Sequence, residues 1–252
     1  MKHGFKALFS KWFTDNSHTK NKIKFLSQSP HVWNVREKPV PSSKYLPDWW
    51  KSIPQYSSQE QRFFLRPYAN VTVKKCMPAG DALTAGYVVP LWTDVHVEYE
   101  ENGGTNIRWA TTESPFSTWN PKQVSFYEFE DGFEQPVFKY HHGWTIETPK
   151  GWSSLIIHPI GYPNLPFKVI PGIVDTDNLK TDINTPMVFK KGWSGILERG
   201  TPMFQVIPIK RKSWTSEVVE GDPTEFAINQ EKLRTKVVSY YAKTLREAKK
   251  YS

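Results

Sequence analysis

Short apolar runs separated by turn residues dominate the second half of the chain. Between Trp144 and Trp214, runs rich in Val, Ile, Phe and Trp are bounded by Gly, Pro, Asn and Asp. That pattern is typical of β-strands. Turns are predicted at Pro149–Gly151 and at Asp175–Asn178. The last apolar run, Met203–Lys210, is predicted to be a strand that ends in basic residues, so this part of the chain is expected to be mostly β.

A strand with one apolar and one polar face is predicted further upstream. In the stretch WTDVHVEYE, Val95 and Val97 alternate with polar residues, so the apolar side chains share one face. Gly103-Gly104 is predicted to close a hairpin into Ile107–Ala110. Further strands are predicted at Val71–Met77, Val124–Phe129, Trp144–Thr148, Ser154–His158, Val169–Val174 and Asp182–Phe189.

The two ends of the chain have a different pattern. Met1–Pro30 is basic, and its apolar residues recur at the spacing of one helical face. Those residues are Phe5, Leu8, Phe9, Trp12 and Phe13. This face is expected either to pack on its own domain or to dock on a neighbouring subunit. Near the other end, the sequence DPTE from Asp222 to Glu225 predicts a helix start, with a capping side chain followed by Pro.

These patterns divide the chain into four predicted sections. They are a basic N-terminal arm (1–35), a Pro- and Trp-rich wrapping segment (36–70), a β-sandwich domain (71–215) and a C-terminal α-helix (221–252). Because the strands are many and no helices alternate with them, an antiparallel β-sandwich or jelly roll is favoured over a parallel α/β sheet. The 20 prolines against 14 glycines favour fixed corners in such a fold.

The cysteine count and the hydropathy narrow the setting. Cys76 is the only cysteine, so an intrachain disulfide and a cysteine-rich zinc site are excluded. No apolar run approaches the roughly 18 residues of a membrane span. Met1–Ser10 lacks the apolar core of a signal peptide. We therefore expect a soluble protein that is made inside a cell and has no membrane span.

The charge and the aromatic content suggest where partners bind. The formal net charge is +8, and aromatic residues make up 15% of the chain. A basic excess fits nucleic acid, an acidic protein surface or simple solubility. Since no nucleic-acid-binding motif accompanies it, nucleic acid is not the favoured partner. The residues expected to contact partners are Phe5, Phe9, Trp12, Trp49, Trp50, Lys210, Arg211 and Lys212.

One pattern would suit a metal. His96 and Glu98 fall on the same side of a predicted strand, and His158 lies near the end of a later one. A His-x-carboxylate pair with a distant His is the iron-binding pattern of non-haem oxygenases on double-stranded β-helix folds. Lys168 could hold a cosubstrate carboxylate in such an iron- and 2-oxoacid-dependent oxygenase. The favoured alternative is that His96 and Glu98 lie on a solvated strand face and that no cofactor is used.

The segment Gly172–Asp177 (GIVDTD), followed by Ile196–Gln205 (ILERGTPMFQ), resembles the β-clip fold of dUTPases and dCTP deaminases. The resemblance implies that Asp175 corresponds to the turn Asp that positions water and deoxyribose in that family. Asn178 stands where an aromatic residue is expected, and Ile157-His158-Pro159 replaces the phosphate motif. The resemblance therefore supports the topology of this part of the sandwich and argues against that hydrolase activity. A degenerate nucleotide-binding β-clip protein stays an alternative.

A second resemblance covers about residues 36 to 215. The segments KPVPSSKYLPDWW, KKCMPAGDALTAGY, TPKGWSSLIIHP, PGIVDTD and GTPMFQVIPIKRKSW are similar to an uncharacterised family of tailed phages that has distant bacterial relatives. The resemblance implies a phage setting and carries no activity. We therefore expect a non-enzymatic phage protein in the virion or the host cytoplasm. It would be a structural or assembly component that binds other virion proteins, or itself, through its arms.

Overall fold

A computed structural model describes residues 21–28, 30–57, 71–100, 104–235 and 240–252. Within these residues the chain forms short strands joined by turns and a few helices. The strands are β1 Lys24–Ser27, β2 Val40–Pro41, β3 Tyr87–Pro90, β4 Val95–Tyr99, β5 Thr105–Trp109, β6 Phe116–Thr118, β7 Phe133–Tyr140, β8 Trp144–Glu147, β9 Trp152–Ile157, β10 Phe167–Val169, β11 Gly172–Val174, β12 Thr185–Lys190, β13 Gly195–Leu197 and β14 Pro202–Lys210. The helices are α1 Pro30–Val35, α2 Asp48–Ser52, α3 Met77–Leu83 and α4 Pro223–Thr235.

Every pairing between described strands is antiparallel. The largest sheet has the order β11-β9-β14-β3-β2, and a second has the order β10-β12-β7-β6. Two smaller sheets, β13-β4-β5 and β1-β8, complete the described strands. The expected class, mostly β with antiparallel sheets and a C-terminal helix, is confirmed.

One hydrophobic core joins all four sheets. Phe204 comes from the largest sheet, Phe189 from the second, Val97 from β4 and Trp144 from β8, and all four are buried in the same cluster. Removing this much apolar surface from water is the main driving force for folding. Two larger sheets that share one core form a β-sandwich.

The alternating pattern on β4 is confirmed. Val95 and Val97 are buried, whereas His96 is exposed. β4 pairs with β5 in the register of a hairpin, in which Tyr99 lies opposite Thr105. The predicted turns are present as well, because Trp152 N–H donates to the Pro149 carbonyl (3.1 Å) and Asn178 N–H donates to that of Asp175 (3.0 Å).

Three strand predictions were wrong in whole or in part. Val71–Met77 contains a 3₁₀ turn, Val73–Lys75, followed by the start of α3. The Thr72 side chain accepts a hydrogen bond from the N–H of Lys74, which starts that turn. Val124–Phe129 is irregular and follows another 3₁₀ turn. Val169–Val174 is divided between β10 and β11, which belong to different sheets.

The helix α4 begins where the sequence predicts. The side chain of Asp222 accepts a hydrogen bond from the N–H of Thr224 at 2.7 Å, which caps the first turn. No described helix is long and apolar enough to cross a membrane. The predicted contact residues Phe5, Phe9 and Trp12 lie outside the described residues.

Candidate interaction site: an exposed arm and a docking segment

After β14 the chain leaves the sandwich in an exposed arm, residues 212–232. Every residue of this arm is exposed to solvent. Its large apolar side chains are exposed too: Trp214 is 87% exposed, Val218 100%, Val219 70%, Phe226 65% and Ile228 51%. Several large apolar groups exposed along one stretch indicate a surface for a partner. The predicted helix is thus present, but its described side chains are not packed on the sandwich.

The arm starts from a fixed point. The backbone N–H of Arg211 donates to the Gly151 carbonyl at 2.9 Å. Its guanidinium donates to both carboxylate oxygens of Asp177 and forms an ion pair with Asp175 at 3.1 Å. These hydrogen bonds, with one from the Gly151 N–H, lower the pKa of Asp177 to about 2. Arg211 therefore fastens the end of β14 to two corners of the sandwich.

The chain returns to the sandwich in residues 246–252, which we call the docking segment. Arg246 donates two hydrogen bonds to the carboxylate of Asp81 on α3, one of them from Nε at 3.1 Å. Lys249 lies 3.4 Å from the same carboxylate. The hydrogen bond from Arg246 is the main reason that the pKa of Asp81 lies below its usual value. A two-pronged Arg–carboxylate contact fixes orientation as well as distance.

Aromatic rings continue the contact beside Asp81. Tyr251 meets Tyr87 edge to face with ring centroids 6.0 Å apart, and Tyr87 meets Phe25 of β1 in the same way at 5.4 Å. The Tyr87 hydroxyl donates to the Ser252 carbonyl at 3.4 Å. Partial burial raises the pKa of Tyr87. Asp81 and Tyr87 therefore form a docking face that holds a basic and an aromatic side chain.

A pocket of about 260 Å³ opens between the docking segment and the sandwich. Aromatic rings and lysines share its wall. The residues are Asn21, Lys22, Ile23, Tyr87, Thr148, Pro149, Trp152, Pro208, Lys249, Lys250 and Tyr251. The site is therefore both basic and aromatic, and its two edges come from opposite ends of the chain.

The fold does not bring the predicted metal ligands together. Glu98 on β4 forms an ion pair with Arg108, and His96 beside it is exposed. His158 follows β9 in a different sheet. Among the described residues, no group of three or more His, Cys, Asp and Glu side chains is placed to hold a metal ion.

His158 has contacts of its own. Its Nε2 lies 3.0 Å from the Tyr162 carbonyl, and its ring lies against Phe167 at 5.7 Å. Burial lowers the pKa of His158, so the neutral form is favoured. These contacts connect the end of β9 to the four-stranded sheet.

Asp175, the predicted nucleotide-binding residue, lies in the corner that Arg211 holds. It accepts a hydrogen bond from the Ser153 hydroxyl at 2.6 Å. Next to it, the Thr176 hydroxyl bonds to those of Thr148 (2.7 Å) and Ser154 (2.9 Å). In this structure Asp175 belongs to a polar network that ties β9, β11 and β14 together.

The remaining predicted contact residues differ in exposure. Trp50 is buried, whereas Trp49 is 43% exposed and its indole N–H donates to the Gly161 carbonyl at 2.6 Å. Lys210 and Lys212 are exposed. The contacts of Trp49 and Trp50 hold the wrapping segment on the sandwich, so Trp50 belongs to the interior rather than to a surface for a partner.

The comparisons with known proteins return a limited result. No family model matches the chain, and no curated protein matches it. Among solved structures, the dUTPase from phage phi11 of Staphylococcus aureus is 12% identical with a TM-score of 0.27, covering 52% of this chain and 98% of its own. A variant dUTPase of Staphylococcus bacteriophage 80alpha, solved with dUpNHpp, is 12% identical with a TM-score of 0.26, covering 51% and 89%. These two phage dUTPases are what the chain is similar to.

Proposed function

We propose that the protein is a non-enzymatic component of a phage particle or of its assembly, and that it binds neighbouring subunits through the exposed arm. The sequence resemblance to a tailed-phage family supports the phage setting. The observation that carries the proposal is the arm itself, where Trp214 and Phe226 are held in water beyond a well-packed sandwich.

The energetics favour a partner for the arm. Burying one large apolar side chain contributes about 1.5–3 kcal/mol. The arm offers five such side chains on consecutive stretches of chain. A neighbouring subunit that covered Trp214 and Phe226 would therefore gain enough to hold the protein in an assembly, since about 1.4 kcal/mol is a tenfold change in affinity.

The test is incorporation into particles of the phage that encodes the chain. We expect mass spectrometry of purified particles to detect the protein, and Trp214→Ser combined with Phe226→Ser to lower its amount at least about tenfold. Phe126→Ser is the matched control, because Phe126 is 98% exposed but lies on the sandwich, outside the arm. This control should enter particles normally. If the wild-type protein is absent from both particles and assembly intermediates, the proposal is rejected.

A further inference from the structure

We infer that the docking segment of one chain also binds the docking face of a second copy, so that two copies exchange their segments. The interface is formed by Arg246 and Tyr251 of one copy on Asp81 and Tyr87 of the other. This inference concerns the docking segment rather than the apolar side chains of the arm, and it does not rest on the proposed function.

The contact seen within one chain shows what the face recognises. Asp81 is mostly buried, with 12% of its side chain exposed, and it receives Arg246 in a two-pronged contact. Tyr251 lies edge-on to Tyr87 only six positions further along the face. A carboxylate and a ring at fixed spacing select a segment with a cation followed by an aromatic residue. A second copy carries that same segment.

The connection between the sandwich and the docking segment gains nothing by staying within one chain. Residues 212–232 are all exposed, so they form no packed contact that an exchange would break. An exchange between copies would keep the Arg246–Asp81 and Tyr251–Tyr87 contacts unchanged. Exchange of an identical element through an exposed connection is a low-cost route to a dimer.

The arm is long enough to reach a neighbour. An extended stretch over residues 212–222 can span about 35 Å. The helix α4 of 13 residues adds about 20 Å. A folded domain of this size has a radius of gyration of only about 16 Å. The docking segment can therefore pass from one sandwich to the face of an adjacent one.

Docking within one chain competes with the exchange. A connection of this kind gives its own segment an effective concentration of about 1 mM or less. The purified protein should therefore be monomeric when dilute, and dimers should appear as its concentration approaches that value. In an assembly where copies lie side by side, the local concentration favours exchange.

Charge reversal isolates the exchanged contact. Asp81→Arg and Arg246→Asp each abolish docking within their own chain. In a mixture, the unchanged Arg246 of the first variant meets the unchanged Asp81 of the second, and the two reversed residues also pair. We expect each variant alone to have the chain mass of 29.3 kDa by light scattering. The equimolar mixture should give a species of twice that mass at about 50 μM, below the effective concentration that favours docking within one chain.

Two controls accompany the mixture. Asp81→Arg and Arg246→Asp combined in one chain restore docking within the chain, so this protein should stay monomeric. Glu37→Arg mixed with Arg199→Asp reverses an exposed ion pair elsewhere on the sandwich and should not form a dimer. A mixture that stays monomeric although circular dichroism shows both docking variants folded would overturn the inference.

If Asp81→Arg does not fold, the wild-type chain supplies the test. Its dimer fraction should rise with concentration up to about 1 mM, and Arg246→Asp should remove that rise. A wild-type chain that stays monomeric over this range, or an Arg246→Asp dimer equal to that of the wild type, would contradict the exchange.

Discussion

At the scale of single residues, His142 is a histidine that the core holds in its neutral form. It is 1% exposed, and its ring centroid lies 5.1 Å from that of Phe204. The N–H of Trp144 donates to its Nδ1 at 3.1 Å. Burial is the main reason that the pKa of His142 falls to about 4. The charged or titratable side chains that act on it are Arg36, His141 and Asp182.

This burial predicts a loss of stability in acid. Between pH 6.5 and pH 4 the unfolded chain binds a proton at His142 that the folded chain does not. The free energy of unfolding should therefore fall as the pH drops, by about 1.4 kcal/mol per pH unit and about 3 kcal/mol in total. Urea unfolding at several pH values measures this slope.

His142→Gln removes the titrating ring and should flatten the slope. Some acid dependence should remain, because burial also lowers the pKa of His158. The exposed His96 is the matched control, and His96→Gln should keep the wild-type slope. An unchanged slope in His142→Gln would contradict the prediction.

Gly86 provides a second prediction at this scale. Its φ is +65°, and an added Cβ would lie 1.9 Å from the Val206 carbonyl oxygen across the β3–β14 pairing. Gly86→Ala should therefore lower the free energy of unfolding by at least about 2 kcal/mol, from strain and overlap together. Gly132→Ala is the control, because Gly132 has a similar φ of +82° but open space around it. Equal urea midpoints for the two variants would contradict the role of the overlap.

At the scale of elements, alternation and turn residues were enough to predict most strands of the sandwich. β4, β8, β9 and β14 follow directly from apolar runs between Gly and Pro. Val71–Met77 misled because a short apolar run does not distinguish a strand from a helical turn. Pro78 stands in the first turn of α3, where its missing N–H costs nothing. The Val169–Val174 run crosses between two sheets at Ile170-Pro171, and the pattern of a single run cannot show such a crossing.

The corner between β9, β11 and β14 carries an element-scale prediction. The pKa of Asp177 is lowered to about 2, chiefly by Arg211, so the ionised form stabilises the fold above its ordinary pKa of 3.8. That contribution is lost as the pH falls through this range. Asp177→Asn should therefore lower the melting temperature at pH 7 but much less near the pH where the native carboxyl is protonated.

Thermal unfolding at neutral and acidic pH tests the corner. Asp48→Asn is the control, because the Asp48 side chain is 98% exposed and its ion pair with Lys51 is a surface one of small worth. It should leave the melting temperature nearly unchanged at both pH values. An Asp177→Asn variant as stable as the wild type at pH 7 would show that the corner does not depend on this pair.

At the scale of the whole molecule, the docking site could not be predicted from the sequence. Asp81 and Arg246 are 165 positions apart, and neither lies in a recognisable motif. The start of α4 was predicted from its cap, but the exposure of its side chains depends on where the rest of the chain goes. The same limit applied to His96, Glu98 and His158, because the distance between strands is a property of the sheet order rather than of residue spacing.

The separation of the docking segment from the core predicts that the segment opens by itself. It is held by the Asp81 ion pair and the Tyr87 ring contact, while the connection before it is exposed. Regions with few buried apolar contacts open locally at a lower free energy than the core does. Arg246→Gln should therefore speed amide hydrogen exchange severalfold in the peptide over residues 240–252 and leave β3 and β14 unchanged. Arg199→Gln, which removes an exposed ion pair to Glu37, should leave this peptide at the wild-type rate. Faster exchange throughout the sandwich would instead make the segment part of the folding core, whereas no change would remove Arg246 as its anchor.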